Sequence, residues 1–255
     1  MKRTLKNEQG IANTMATFNN LVKYCSQLGD AYKPARADMM IPSAQATHDD
    51  TMNVIETDAR TLALLIKQGK EREKEFDGID LLVTRVISAF KACGASAELV
   101  RRARTYQRKL RGSRATPIPD DPQPGANAAA TGDDTTTETS YRSSRQTSFV
   151  NKAKFFAGLI ELLKTQDYYK PNEFELSVEG LTKKHEAMVT ANAKTGELAA
   201  ARDISLATRK EKINHPVSGV VAIGNRMRDY IKSVFGTKSE QYKDIKGIQF
   251  KKDTD

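Results

Sequence analysis

IANTMATFNNLVKYC, residues 11–25, and FVNKAKFFAGLIELL, residues 149–163, decide how this chain folds. In the first stretch Ile11, Met15, Phe18, Val22 and Cys25 recur at intervals of four, three, four and three. In the second, Phe149, Ala153, Phe156, Ile160 and Leu163 do the same, 138 residues further on. At 3.6 residues per turn, that spacing puts five apolar side chains on one face of a helix and leaves the rest to solvent. Two such faces cannot stay wet, so each needs a partner of the same kind.

Working outward, the correspondence continues. Tyr32-Lys33-Pro34 meets Tyr169-Lys170-Pro171, His48 meets His185 and Arg72 meets Arg209, all at a shift of 137. Ile79, Val83, Val86, Phe90 and Cys93 meet Val220, Gly224, Met227, Ile231 and Val234 at 141, and Gly94 meets Gly236 at 142. An order of elements kept over this length reads as internal duplication. Each copy is expected to hold four helices, at about 8–29, 43–75, 79–93 and 96–111 in the first and 146–166, 173–213, 217–235 and 238–247 in the second. The Lys-Pro pairs stop the first helices, because proline lacks an amide donor and pushes its predecessor out of the α region. Gly94 and Gly236 stand where a left-handed C-cap is expected. Ser96 is the expected cap of the fourth helix in the first copy, and Thr237-Lys238-Ser239-Glu240 reads as a capping box in the second.

Between the copies the composition changes. Residues 112–147 hold Pro117, Pro119, Pro122 and Pro124, half of the eight prolines, among Ala, Thr, Gly, Asp and Ser. Such a segment has too little apolar surface to offset the entropy of ordering it and is expected to be a disordered linker. The expected organisation is therefore a helical unit at 1–111, the linker at 112–147 and a second helical unit at 148–255. The fold class is all-α, with two homologous units packed as a pseudo-two-fold bundle. Composition agrees: 38% apolar and 29% charged residues, only 7% aromatic, no Trp and 15 Gly suit helices better than a sandwich or barrel.

The residues Thr84-Arg85-Val86 leading into Ala89-Phe90-Lys91-Ala92-Cys93-Gly94-Ala95, then Arg108-Lys109-Leu110-Arg111-Gly112, Tyr169-Lys170-Pro171-Asn172-Glu173 and Tyr230-Ile231-Lys232-Ser233-Val234-Phe235-Gly236 carry a resemblance. The chain resembles an uncharacterised bacterial family of internally duplicated helical proteins with a Ser/Thr/Pro-rich central linker. The resemblance implies the duplicated helical architecture and brings no activity, cofactor or site residue with it.

Several function classes find no footing. The polar sequence after Lys2, Arg3 and Lys6 does not read as a secretory signal, so the expected compartment is the cytoplasm. Apolar runs such as residues 62–66 and 217–223 are far shorter than the roughly 18–20 residues of a membrane span. Cys25 and Cys93 have no CxxC spacing and align with Leu163 and Val234, which marks them as packing residues rather than reactive thiols. GxxxxGK[ST], GxGxxG and GxSxG are all missing, so the chain is read as non-catalytic, with no cofactor.

Two constellations remain. His48 falls in line with Met52, Ile55, Ala59, Leu62 and Ile66 on the second helix, the expected buried seam, with His185 at the equivalent place. A metal or small-molecule site between the units near His48 and His185 is the sharp reading, although Glu-x-x-His is lacking and HExxH fails at His185-Glu186; two partly buried, hydrogen-bonded histidines are the plain one. The stronger polar signal is the run Arg101, Arg102, Arg104, Arg108, Lys109, Arg111 and Arg114, seven basic residues in fourteen positions without an acid. On a helix Leu99, Ala103, Tyr106 and Leu110 share one side and Arg101, Arg104, Arg108 and Arg111 the other. That stripe is a candidate for nucleic-acid phosphates or another anionic partner, or else a solvated face paired with acids such as Glu71, Glu73 and Glu75. With a net charge of +9 the chain is basic overall. The leading expectation is an interaction or scaffold protein that presents helix faces to a protein partner, with nucleic acid as the alternative.

Overall fold

The computed structural model describes residues 10–112 and 148–250. The expected linker, apart from Gly112, lies outside the described residues, as does Arg114. Among the described residues the regular structure is helical throughout, with no strand. The helices are α1 (Ile11–Gln27), α2 (Ile41–Phe76), α3 (Ile79–Ala92), α4 (Ala97–Arg111), α5 (Phe149–Lys164), α6 (Val178–Asn214), α7 (Val220–Phe235) and α8 (Glu240–Ile245).

Helix boundaries follow local chemistry. After α1 and α5 the chain turns through Tyr32 and Tyr169, whose buried hydroxyls donate to the carbonyls of Met39 at 3.0 Å and Leu176 at 2.6 Å. These bonds hold one-turn 3-10 segments, Ala37–Met39 and Phe174–Leu176, just before the long helices. For that reason α6 begins at Val178 rather than near residue 173. The turn after α3 is a Schellman cap: Gly94 has φ of 93°, its amide bonds to Lys91 O at 3.0 Å, and the Ala95 amide reaches Phe90 O at 3.3 Å. Ser96 then caps α4, accepting from the Leu99 amide at 3.3 Å. In the second half the cap of α8 is Ser239, which accepts from Tyr242 N at 3.1 Å. The expected Thr237–Glu240 capping box is thus replaced by a cap two residues later, nearer the first turn whose amides need it.

The described helices group into two compact units, residues 10–67 with 196–250 and residues 68–112 with 148–195. In the first unit Met15, Phe18, Leu21, Val22 and Cys25 of α1 share a core with Val220, Ile223, Met227 and Ile231 of α7 and with Ile213, Ile245 and Phe250. In the second, Phe156, Leu159, Ile160 and Leu163 of α5 share a core with Val83, Val86 and Phe90 of α3 and Val100, Ala103 and Leu110 of α4. Each buried aliphatic or Phe side chain contributes about 1.5–3 kcal/mol. The compact units therefore cut across the sequence halves, since each joins the first helix of one half to the third and fourth of the other. Close approach in the second unit needs Gly158 on α5: a Cβ there would stand 2.5 Å from the Tyr106 ring.

The buried face of α2 is not the expected one. Ala44, Thr51 and Asp58 are buried, while Met52, Leu62 and Ile66 are 36, 40 and 53% exposed. The helix is turned by one residue, about 100°, from the seam read off the sequence. What turns it is a polar cluster in the first unit. Asp58, 3% exposed, accepts from Ser205 Oγ at 2.8 Å and Arg209 Nη1 at 2.8 Å, and forms an ion pair with Arg202. A buried carboxylate is tolerated only when paired and hydrogen-bonded in this way.

Candidate functional site

α4 is built to separate grease from charge. Val100, Ala103 and Leu110 are buried, with Leu99 and Tyr106 packed at the edge of the same core. Val100 thus takes a core place that the sequence reading assigned to Leu99. Arg101, Arg104, Arg108 and Arg111 all lie exposed on the other side. Glu98 in the first turn and Arg108, Lys109 and Arg111 in the last complement the helix dipole, so the charge is placed where it also favours the helix.

The neighbouring helix fixes the setting. Gln107 Nε2 and Arg111 Nη2 both donate to Thr84 Oγ1 on α3, at 2.8 and 3.1 Å. A contact between the early part of α3 and the end of α4 closes the pair into an antiparallel hairpin across the four-residue turn at Cys93–Ser96. Neither helix projects alone, and α4 shows a broad flank rather than a free edge. Ser88 and Lys91, four and seven residues beyond Thr84, are exposed on the same side of α3. Lys91 is a basic residue of this surface that the α4 run alone did not reveal; its spacing from Thr84 is the signal.

Counter-charges are few. Arg102, on the other flank, pairs with Glu98 at 3.0 Å, and Lys109 lies 5.5 Å from the centre of the Phe155 ring. Among the described residues Arg101, Arg104 and Arg108 have no acidic partner. Of the acids weighed as partners, Glu75 pairs with Lys184 on α6 at 3.0 Å instead. Beside α4, a groove of about 530 Å³ is lined by Arg102, Tyr106, Lys109, Gly158, Glu161 and Thr165. It gathers no histidine or cysteine.

His48 belongs to the first unit and His185 to the second. The His48 ring is largely buried, with Nδ1 2.9 Å from Asp49 Oδ1; this contact, with the Gln45 amide, holds the Asp49 carboxyl below its ordinary range. No group of three or more His, Cys, Asp or Glu side chains among the described residues is placed to hold a metal ion. Cys25 is buried and free, and burial pushes its thiol up to about 12; Cys93 is half-buried and free. None of the described helices is long and apolar enough to cross a membrane. Comparison with family models, with curated proteins and with solved structures finds no match.

Proposed function

We propose that this chain is a non-catalytic helical interaction protein, and that the outer face of α4 is where it meets a nucleic-acid backbone. The observation that carries the reading is the exposure of Arg101, Arg104 and Arg108 on one side of a well-capped helix, without an acidic partner among the described residues. A charge run that served only the fold would be expected to find intramolecular acids. The antiparallel closure onto α3 favours contact with phosphates over insertion of a single helix into a groove. From Arg101 to Arg111 the helix rises about 15 Å, which spans roughly four phosphates of one duplex strand at about 3.4 Å each.

The scaffold itself we take to be a duplicated module. Three likenesses support this. Tyr32 with Met39 and Tyr169 with Leu176 make the same bond 137 residues apart. Arg226–Asp38 at 2.9 Å and Arg85–Glu175 at 3.0 Å are ion pairs at corresponding places. The buried or half-buried positions 44, 51, 58, 65 and 72 on α2 correspond to 181, 188, 195, 202 and 209 on α6. Two isolated free thiols fit a reducing compartment such as the cytoplasm.

Fluorescence anisotropy with a labelled duplex tests the binding reading. The logarithm of the binding constant should fall against the logarithm of salt with a slope near −4, and each of Arg101→Glu, Arg104→Glu and Arg108→Glu should reduce that slope by about 1. Absence of binding at 50 mM salt removes nucleic acid as the ligand and leaves a protein partner, to be sought by capture on the intact chain.

A further inference from the structure

α2 carries two stripes, and the folded unit buries the less apolar one. Thr51 and Asp58 go inside, whereas Met52, Ala59, Leu62 and Ile66 stay exposed and Ile55 is only partly covered. Taking Asp58 as zero, the five apolar residues fall between about 40 and 120° around the helix and form one continuous strip about 21 Å long. Their spacing of three, four, three and four is the a/d repeat of a coiled coil, which describes a seam awaiting a second helix. The corresponding residues of α6, Val189, Asn192, Gly196, Ala199 and Asp203, do not keep the pattern, so the strip is not a by-product of the long-helix design. A charged residue buried beside an apolar strip left in water is the reverse of ordinary partition, and marks the strip as a contact surface.

We propose that the strip pairs with the same strip of a second copy of this chain, the two α2 helices lying antiparallel about a two-fold axis at Ala59. The sequence of the strip is self-complementary in that sense. Reversed about residue 59, Met52 faces Ile66 of the other copy and Ile55 comes within one residue of Leu62, while the smallest side chain sits at the axis, where the helices come closest. Charge agrees with shape. Glu56 and Arg60, 3.2 Å apart on the same helix, flank the strip on one side. In the antiparallel arrangement the two-fold axis keeps this flank of both helices on the same side, so Glu56 of each copy comes within one turn of Arg60 of the other; in a parallel pair the flank would face the opposite flank of the other copy and the two charges would stay apart. The surface differs from the basic face of α4 and does not depend on it.

Light scattering after size exclusion, on the full chain between 1 and about 500 µM, reads the association directly. Expected is a concentration-dependent rise toward twice 28.3 kDa. Leu62→Glu with Ile66→Glu should raise the dissociation constant at least about a hundredfold with unchanged far-UV circular dichroism, because both side chains are exposed in the single copy. Leu64→Glu, 52% exposed but about 160° from the centre of the strip, should leave association unchanged. In a Cys93→Ser background, Ala59→Cys should cross-link copies with a short bis-maleimide and Leu64→Cys should not. A chain that stays monomeric over the whole range, a dimer that survives the double substitution, or cross-linking through position 64 and not 59 would each overturn the proposal.

Discussion

Asp58 enters a nearly dry site and is met there by two guanidinium groups and a hydroxyl. Removing the carboxylate strands two largely buried positive charges, a change of the kind that costs about 3–5 kcal/mol. Asp58→Ala should therefore lower the urea midpoint strongly, and a loss below about 1 kcal/mol in equilibrium denaturation would show that water replaces the carboxylate at little cost. Cys25 gives a prediction in pH. Its thiol has an ordinary value of 9.0 and is pushed up to about 12 by burial. Below about pH 9 the group is protonated in both states, and its contribution is present in full. As pH rises from there toward 12 the unfolded chain loses the proton first, so stability is lost. Burial moves the hydroxyls of Tyr32 and Tyr169 the same way, from 10.0 upward. The melting temperature should accordingly fall steadily above pH 9 in buffers of constant ionic strength, and an aromatic thiol reagent at pH 8 should label Cys93 well before Cys25.

At the scale of elements, glycine has opposite meanings in two places. Gly94 closes α3 at φ of 93°, where a side chain is strained, so Gly94→Ala should destabilise by about 1–2 kcal/mol. Gly196 lies inside α6 with open space around its Cβ direction, so Gly196→Ala should stabilise by up to about 1 kcal/mol. Thermal denaturation of the two variants must show opposite signs. How much of an element was legible depended on its surroundings. α1 and α5 follow their apolar periods closely because each has one face that can only be core, whereas α4 buries Val100 in place of Leu99 and α7 leaves Val234 exposed at its end. On α2 the buried face lies one residue from the one its spacing suggests: strips at 51 and 58 and at 52 and 59 have the same period, and the Arg202 and Arg209 side chains paired with Asp58 select the first. The exposed side of Arg101, Arg104, Arg108 and Arg111 on α4 was legible from their spacing; Lys91 joins it from α3 through the fold, which sets Thr84 against Arg111.

For the whole molecule, the grouping of helices makes each compact unit depend on both halves of the chain. Phe18 and Val22 of α1 are covered by α7, and Phe156 and Ile160 of α5 belong to the core of α3 and α4. Residues 1–111 expressed alone should thus lose much of their helicity or aggregate, and adding residues 148–255 should restore it. A chain cut by protease between 112 and 147 should likewise elute as one species until denatured. Two fragments that separate and stay folded in native buffer would contradict this dependence. The sequence by itself determined helix, the place of each helix to within a few residues, and the apolar and basic faces they carry, since these follow from spacing and capping chemistry within a few turns of chain. Only the tertiary structure decided which faces meet, that Asp58 goes inside and Leu62 and Ile66 do not, and that the units are shared between the halves. The physical reason is that an apolar stripe specifies the need for a partner and not its identity, which is settled by the pairing of charges and the fit of side chains brought together from distant parts of the chain.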